Sequence, residues 1–173
     1  GLSEGKTKEI KQVEKNLLSV EKELKRFSVG LLAEFKKVVP QVERHLSGEE
    51  LYTWAKEGAA LAQGSFRSWE AATEYFRATP RVLEALDFPG LMLWTQCGRR
   101  LSGLSTALSS AYFRASAEVV PLLTPSEIPS WAEMGEGLYS ESWKSSSLSC
   151  RFFEVSPKLL PYLGLRDLGE FAL

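Results

Sequence analysis

Histidine, aspartate and cysteine are nearly missing from this chain of 173 residues. It carries one His (His45), two Asp (Asp87 and Asp167) against twenty Glu, and two Cys (Cys97 and Cys150). One histidine, with no CxxC or HExxH, does not assemble a typical zinc site. No acid–nucleophile pattern accompanies His45, which reads as a surface residue near a helix C-terminus and not as part of a triad. The phosphate-cradling sequences GxxxxGK[ST] and GxGxxG are absent. There is no apolar run long enough for a bilayer span, and the opening Gly-Leu-Ser-Glu-Gly-Lys has no signal-peptide core. A net charge of −1 gives no bulk attraction to nucleic acid or an anionic membrane. Glu pairs such as Glu49/Glu50 and Glu133/Glu136 have first-turn or exposed-face explanations. The sequence therefore predicts no catalytic residue, metal or cofactor, and two free thiols in a reducing cytoplasm. Glu and Lys suit exposed helix faces, whereas Asp and His gather where protons move and metals bind.

What the chain does have is a repeated phrase. Pro40–Leu46–Trp54, Pro80–Leu86–Trp94, Ala117–Leu123–Trp131 and Pro157–Leu163–Phe171 recur at intervals of 40, 37 and 40 residues. A period of this size marks stacked helical units. The predicted fold is all-α: a right-handed helical-repeat solenoid of about three 40-residue, three-helix units, preceded by a long amphipathic helix. Residues 1–46 are assigned to that helix and a partial repeat. Residues 47–86, 87–123 and 124–163 form the repeats, with the start of a fourth in 164–173.

Residues 6–38 place Ile10, Val13, Leu17, Val20, Leu24, Phe27 and Leu31 at alternating spacings of three and four, an a/d seam held for three heptads. The seam predicts one helix packed as the first solenoid layer, with a dimerising coiled coil as the alternative, ending at Val38-Val39-Pro40. In the first repeat, Ser47-Gly48-Glu49-Glu50 is a capping box opening helix A at 49–63. Helix B, at 66–78, carries Phe66, Trp69, Ala72, Tyr75 and Phe76. Thr79-Pro80 is read as the cap and first residue of a short helix C. Ser116 and Ser156 take the place of Thr79 later in the chain. Asp87-Phe88-Pro89-Gly90 and Thr124-Pro125-Ser126-Glu127 start the next two A helices. The 37-residue interval is assigned to a helix B shortened by three residues.

Gly58, Gly98 and Gly135 each lie four residues after a repeat tryptophan. Glycine inside a helix costs about 1 kcal/mol relative to alanine, so three at one position signal packing. The expected core set is Trp54, Gly58, Phe76, Trp94, Gly98, Phe113, Trp131, Gly135 and Phe153, with each glycine admitting another helix backbone while the indole covers the gap. A stacked-aromatic ligand platform is the alternative. Ser140–Ser149 is read as a helix B, with Trp143 in the place of Phe66 and Leu148 in that of Ala71, and a phosphorylated linker is the alternative. Arg67, Arg99, Arg100 and Arg114, with Arg77, are candidates for a basic interaction strip.

The stretches Trp54-Ala-Lys-Glu-Gly58, Glu74-Tyr-Phe-Arg-Ala-Thr-Pro80 and Tyr112-Phe-Arg-Ala-Ser116 resemble the helical region that precedes the von Willebrand A domain in bacterial proteins of the NorD and CbbO type. The resemblance covers about residues 32–173. It implies an accessory protein that works with a MoxR-class AAA+ ATPase to activate a metalloenzyme. The family's DxSxS metal motif is absent here, so no functional residue carries over. The expected function is a non-enzymatic protein-interaction scaffold, the helical part of a larger protein, with an AAA+ ATPase or its client enzyme as partner. The alternative is a receptor for a peptide or small ligand in an aromatic-lined groove. Leu168, Phe171 and Leu173 are expected to lack a covering helix. Weak dimerisation is expected through that end or through the first helix.

Overall fold

The computed structural model describes residues 2–64, 69–143 and 145–172, and all regular structure among them is helical. The helices are α1 (Leu2–Phe27), α2 (Val29–Val42), α3 (Gly48–Ala62), α4 (Glu70–Val82), α5 (Phe88–Ser102), α6 (Thr106–Val119), α7 (Glu127–Glu141), α8 (Ser146–Leu159) and α9 (Leu165–Ala172). A 3-10 turn, Val120–Leu122, extends α6.

Local chemistry sets most of the starts. Ser47 accepts from the Glu50 N–H at 3.3 Å while Glu50 Oε1 accepts from the Ser47 N–H at 2.9 Å, the reciprocal pairing of a capping box. Asp87 accepts from the Gly90 N–H at 2.9 Å. At Thr124–Glu127 only half the box forms. Glu127 Oε1 accepts from the Thr124 N–H at 2.8 Å, but the Thr124 hydroxyl donates to that same carboxylate and caps nothing.

Alternate helices stack into two layers, α1, α3, α5, α7 in one and α2, α4, α6, α8 in the other. The second layer is the more closely packed, and it buries the small residues Ala71, Ala72, Ala78, Ser109, Ser110, Ala115 and Ser149. Between the layers runs a continuous aromatic column. Phe35 stacks on Trp54 (centroids 5.7 Å apart, 24° between planes), as Tyr75 does on Trp94 (5.5 Å, 17°). Tyr112 lies on Trp131 at 5.1 Å and 31°. Phe76, Phe113 and Phe153 stand edge-on to Trp54, Trp94 and Trp131 at 5.1–5.2 Å. All nine predicted core residues are buried.

Several expected details differ. The first segment is two helices, turned at Ser28, whose hydroxyl accepts from the Leu31 N–H. Phe35 occupies the place of Tyr75 and Tyr112, so α1 and α2 are a full helix pair and not a lone leading helix. Of the seam, Val20, Leu24 and Leu31 are buried whereas Ile10 is exposed. Helix α2 does not stop before Pro40 but continues to Val42.

The same holds for Pro80 inside α4 and Pro157 inside α8. There is accordingly no separate helix C, and the units are helix pairs instead of triplets. The physical reason lies in the hydroxyls read as caps. Thr79, Ser116 and Ser156 donate back to the carbonyls of Tyr75, Tyr112 and Phe152 at 2.6–2.7 Å, within a helix that carries on.

Nor is helix B shorter in the second unit: α6 has 14 residues and α4 has 13. The missing residues come from the connector, Gly103–Ser105 between α5 and α6 against 63–69 between α3 and α4. A connector shortens without shifting any packed side chain.

The glycines also have a different neighbour from the one expected. A Cβ on Gly58, Gly98 or Gly135 would overlap the ring tip of Phe76, Phe113 or Phe153. The partner is a phenyl edge from the same pair's second helix, not another backbone.

Ser146–Leu159 is helical, but Trp143 lies outside it, in a turn with φ 56° and 96% exposure, and Leu148 is exposed. Leu168 is buried, not left open, because α9 packs on α7 and α8. Phe66, Arg67, Leu173 and the Phe171 side chain lie outside the described residues.

Candidate interaction surface

The aromatic column presents no free face. Trp54, Trp94, Trp131, Tyr75 and Tyr112 have no exposed surface, and most of their polar atoms are used internally. Trp54 Nε1 donates to Thr79 Oγ1 at 2.9 Å and Trp131 Nε1 to Ser156 Oγ at 3.1 Å. Tyr75 and Tyr112 donate to the carbonyls of Trp54 and Trp94, each at 2.8 Å. Burial pushes both phenols well above the usual tyrosine range, so they remain neutral donors. Among the described residues, Trp94 Nε1 and Ser110 Oγ are the buried side-chain polar atoms without a partner. Ser116 is the counterpart of Thr79 but makes no bond to Trp94.

The two thiols are free and half-buried. Burial raises both above the ordinary cysteine value, with Glu133 adding to the effect at Cys97 and Glu154 at Cys150. Neither is poised as a thiolate. His45 sits on an exposed turn after α2. Among the described residues no three His, Cys, Asp or Glu side chains gather as a metal site, and no helix is long and apolar enough to cross a membrane.

The arginines do not form one strip. Arg77 and Arg114 lie in the closer-packed layer, in a ladder that crosses three helices. Arg77 bonds Glu34 at 2.9 Å and Glu74 at 3.3 Å, while Arg114 bonds Glu70 at 3.0 Å and Glu74 at 3.5 Å. The hydrogen bond from Arg77 holds the Glu34 carboxyl below the usual glutamate range. Arg99 and Arg100 lie in the other layer, Arg99 paired with Glu57 at 2.8 Å and Arg100 with Glu136 at 3.1 Å. Each guanidinium links neighbouring units and is electrically matched where it stands.

That second pair of bridges defines the outer grooves. Counting from the repeat tryptophan, Glu57 on α3 reaches α5, and Arg100 on α5 reaches α7. The α5/α7 groove is correspondingly small, about 220 Å³, with Cys97, Leu101 and Arg100 along its α5 wall. The same wall on α7 consists of Met134, Leu138 and Gly137, with Gly137 in the place of Arg100. The α7/α9 groove measures about 620 Å³, and its far wall is the eight-residue α9, which contributes Leu165, Arg166, Gly169 and Glu170.

Gly137 differs in kind from Gly135, two residues earlier. A Cβ on Gly135 would strike Phe153, whereas one on Gly137 would meet nothing within 4 Å. The repeat alignment carried this signal, Arg100 against Gly137 six residues after each tryptophan, but it acquires meaning only once that position is known to face the next helix.

No protein-family model, curated protein or solved structure matches the chain.

Proposed function

We propose that the chain is a non-enzymatic protein-interaction scaffold, the helical region of a larger protein that assists the assembly or activation of another enzyme. The observation that carries this reading is the closed aromatic column. Tryptophan, tyrosine and phenylalanine are committed to holding helix pairs together, and their polar atoms bond mainly across the two helices of their own pair. What remains for a partner is the outside of a two-layer stack, whose units are tied by aromatic contacts and by ion pairs. Stacks of this kind present extended surfaces whose shape follows from how each unit sits on the last. The half-buried free thiols support a reducing, cytoplasmic setting. Through the NorD/CbbO resemblance, the partner is a MoxR-class AAA+ ATPase or its client enzyme.

The test is reconstitution. The chain is used to capture partners from its native extract, each candidate is purified, and complex formation is measured by sedimentation with defined components. A saturable complex of fixed stoichiometry supports the scaffold. Failure of every purified candidate to form one removes the reading.

A further inference from the structure

We propose that a ridge of lysines along α1 is the docking site for an acidic helical segment of a partner protein, one that carries glutamate or aspartate at intervals of three and four residues along one face. This rests on the scaffold reading and names the surface and the chemistry through which the scaffold takes its partner.

Charge is unevenly spread along the chain. Residues 1–46 hold ten Lys or Arg against seven Glu, a net charge of +3, whereas residues 47–173 hold eleven against fifteen Asp or Glu, a net charge of −4. Eight of the eleven lysines lie within the first 37 residues. Later cations such as Arg77, Arg99, Arg100 and Arg114 are matched inside the stack, and Lys56 lies over the Tyr52 ring. By contrast, no lysine of α1 has an ion pair among the described residues.

These lysines fall in line. Lys8, Lys11, Lys15, Lys22 and Lys25 each lie two residues before a position of the apolar seam, about 200° around the helix from it. Leu18 fills the one remaining place, and all six are exposed. Steps of three and four residues advance about 5 Å each, so the ridge is about 26 Å long. Most of that length is firmly seated. Val20 and Leu24 are buried on the opposite face, and Val13 covers Gly48 so closely that an added Cβ there would strike its side chain.

The carboxylates of the same helix decide what the ridge selects. Glu9, Glu14, Glu21 and Glu23 each stand one residue from a seam position, on the flanks and about 100° from it. The positive surface is therefore one residue wide. A bilayer or a nucleic-acid duplex spreads its negative charge over the flanks as well, where these glutamates oppose it, and the ridge carries no aromatic ring on which bases could stack. A single file of carboxylates avoids the flanks. A helix with acidic residues at steps of three and four supplies such a file at the same spacing of about 5 Å. Leu18, 56% exposed, interrupts the lysines near their midpoint and sets the register by taking an apolar residue of the partner. One exposed ion pair contributes little, whereas a line of them in register selects partner and orientation together.

The probe is a synthetic helical peptide of about five turns, with glutamate along one stripe and a leucine at its centre. Its control has the same composition with the glutamates distributed around the helix. Binding is followed by fluorescence anisotropy of the labelled peptides. The striped peptide is expected to saturate the wild-type chain at low ionic strength and to weaken by about tenfold as salt shortens the screening length from about 30 Å to about 8 Å. The scattered peptide should bind at least about fivefold more weakly. Lys15→Gln, Lys22→Gln and Lys25→Gln together should weaken the striped peptide about tenfold or more. Lysine and glutamine are similar helix formers, so that triple variant should melt as wild type does. Lys56→Gln, Arg151→Gln and Lys158→Gln together remove the same charge away from the ridge and should leave binding within about twofold.

Equal binding of the two peptides, equal weakening by the two triple variants, or no binding at all would overturn the proposal. Vesicles of phosphatidylcholine with phosphatidylserine, and a mixed-sequence DNA duplex, are the competing polyanions. Either one binding more tightly than the striped peptide, with loss in the ridge variant, would assign the ridge to that surface and overturn the proposal too; weaker binding supports it. If reconstitution yields a stoichiometric partner but the striped peptide does not bind, the ridge is refuted and the scaffold stands. If the striped peptide binds as expected and every purified candidate fails, the ridge stands and the scaffold reading falls.

Discussion

Gly98→Ala is the sharpest test of how this stack is held together, because two physical effects of known size oppose each other there. In an unconstrained helix the change should stabilise by about 1 kcal/mol, since alanine is the better helix former. In the structure the added methyl would overlap the Cζ and both Cε atoms of Phe113. That ring has little freedom to retreat. Phe113 is fully buried, stands edge-on to Trp94 at 5.1 Å and 81°, and has Tyr75 and Tyr112 against it at 5.4 and 5.1 Å. Overpacking at a rigid site costs about 1–3 kcal/mol and sometimes more. Phe113 also contacts the aromatic groups of the preceding unit, so the strain spreads and the upper end of that range is expected. The net effect should be a loss of about 1–2 kcal/mol, or a fall in melting temperature of several degrees for a chain of this length.

Gly137→Ala is the internal control. It lies in the same kind of helix but meets open space, and should gain about 0.5–1 kcal/mol. Urea melts of both variants supply the comparison. A third protein, Gly98→Ala with Phe113→Leu, trims the ring tip that is struck. The double variant should lose less than the sum of its singles, because a shared contact makes them non-additive. If Gly98→Ala is as stabilising as Gly137→Ala, or the two changes simply add, the ring does not sit over the glycine and this account of the core is wrong.

The indoles separate in a similar way. Trp54→Phe breaks the bond to Thr79 whereas Trp94→Phe removes an N–H that has no acceptor, so Trp94→Phe should be the milder by about 1 kcal/mol in chemical denaturation; equal losses would contradict the assigned bonds. Glu34 has a lowered folded-state pKa, so its contribution is present above the ordinary glutamate value of about 4.3 and is lost as pH falls through and below it. Glu34→Gln should therefore lower stability at neutral pH by a few tenths of a kcal/mol, the pair being half solvated, and should flatten the acid limb of a stability-versus-pH curve; an unchanged limb would count against the Arg77 pairing. Along α1, Leu24→Glu places a charge in the core and should abolish cooperative melting, while Ile10→Glu, at an exposed site, should leave the melt unchanged. The reverse order would mean that α1 is docked through the other half of its seam.

The repeat and the helical class were legible because they depend on local, periodic chemistry. Proline, leucine and tryptophan at fixed intervals, Ser47 with Glu50, and glycine four residues after tryptophan follow from neighbours along the chain. The details that escaped have partners far away in sequence. Thr79 before Pro80 has the form of a helix cap, but its hydroxyl donates back to the Tyr75 carbonyl within a continuing helix and accepts from the indole of Trp54, 25 residues earlier. The seam from Ile10 to Leu31 reads as one helix, since nothing within it announces the turn at Ser28; the turn is favourable because it lets Phe35 stack on Trp54. The three residues missing from the second interval had no address in the sequence, and the need to keep Tyr112 against Trp94 places their loss in the connector. Gly135 and Gly137 look alike on the page. One lies beneath the Phe153 ring and the other lines a groove beside α9, and which is which depends on the side of α7 that α8 covers.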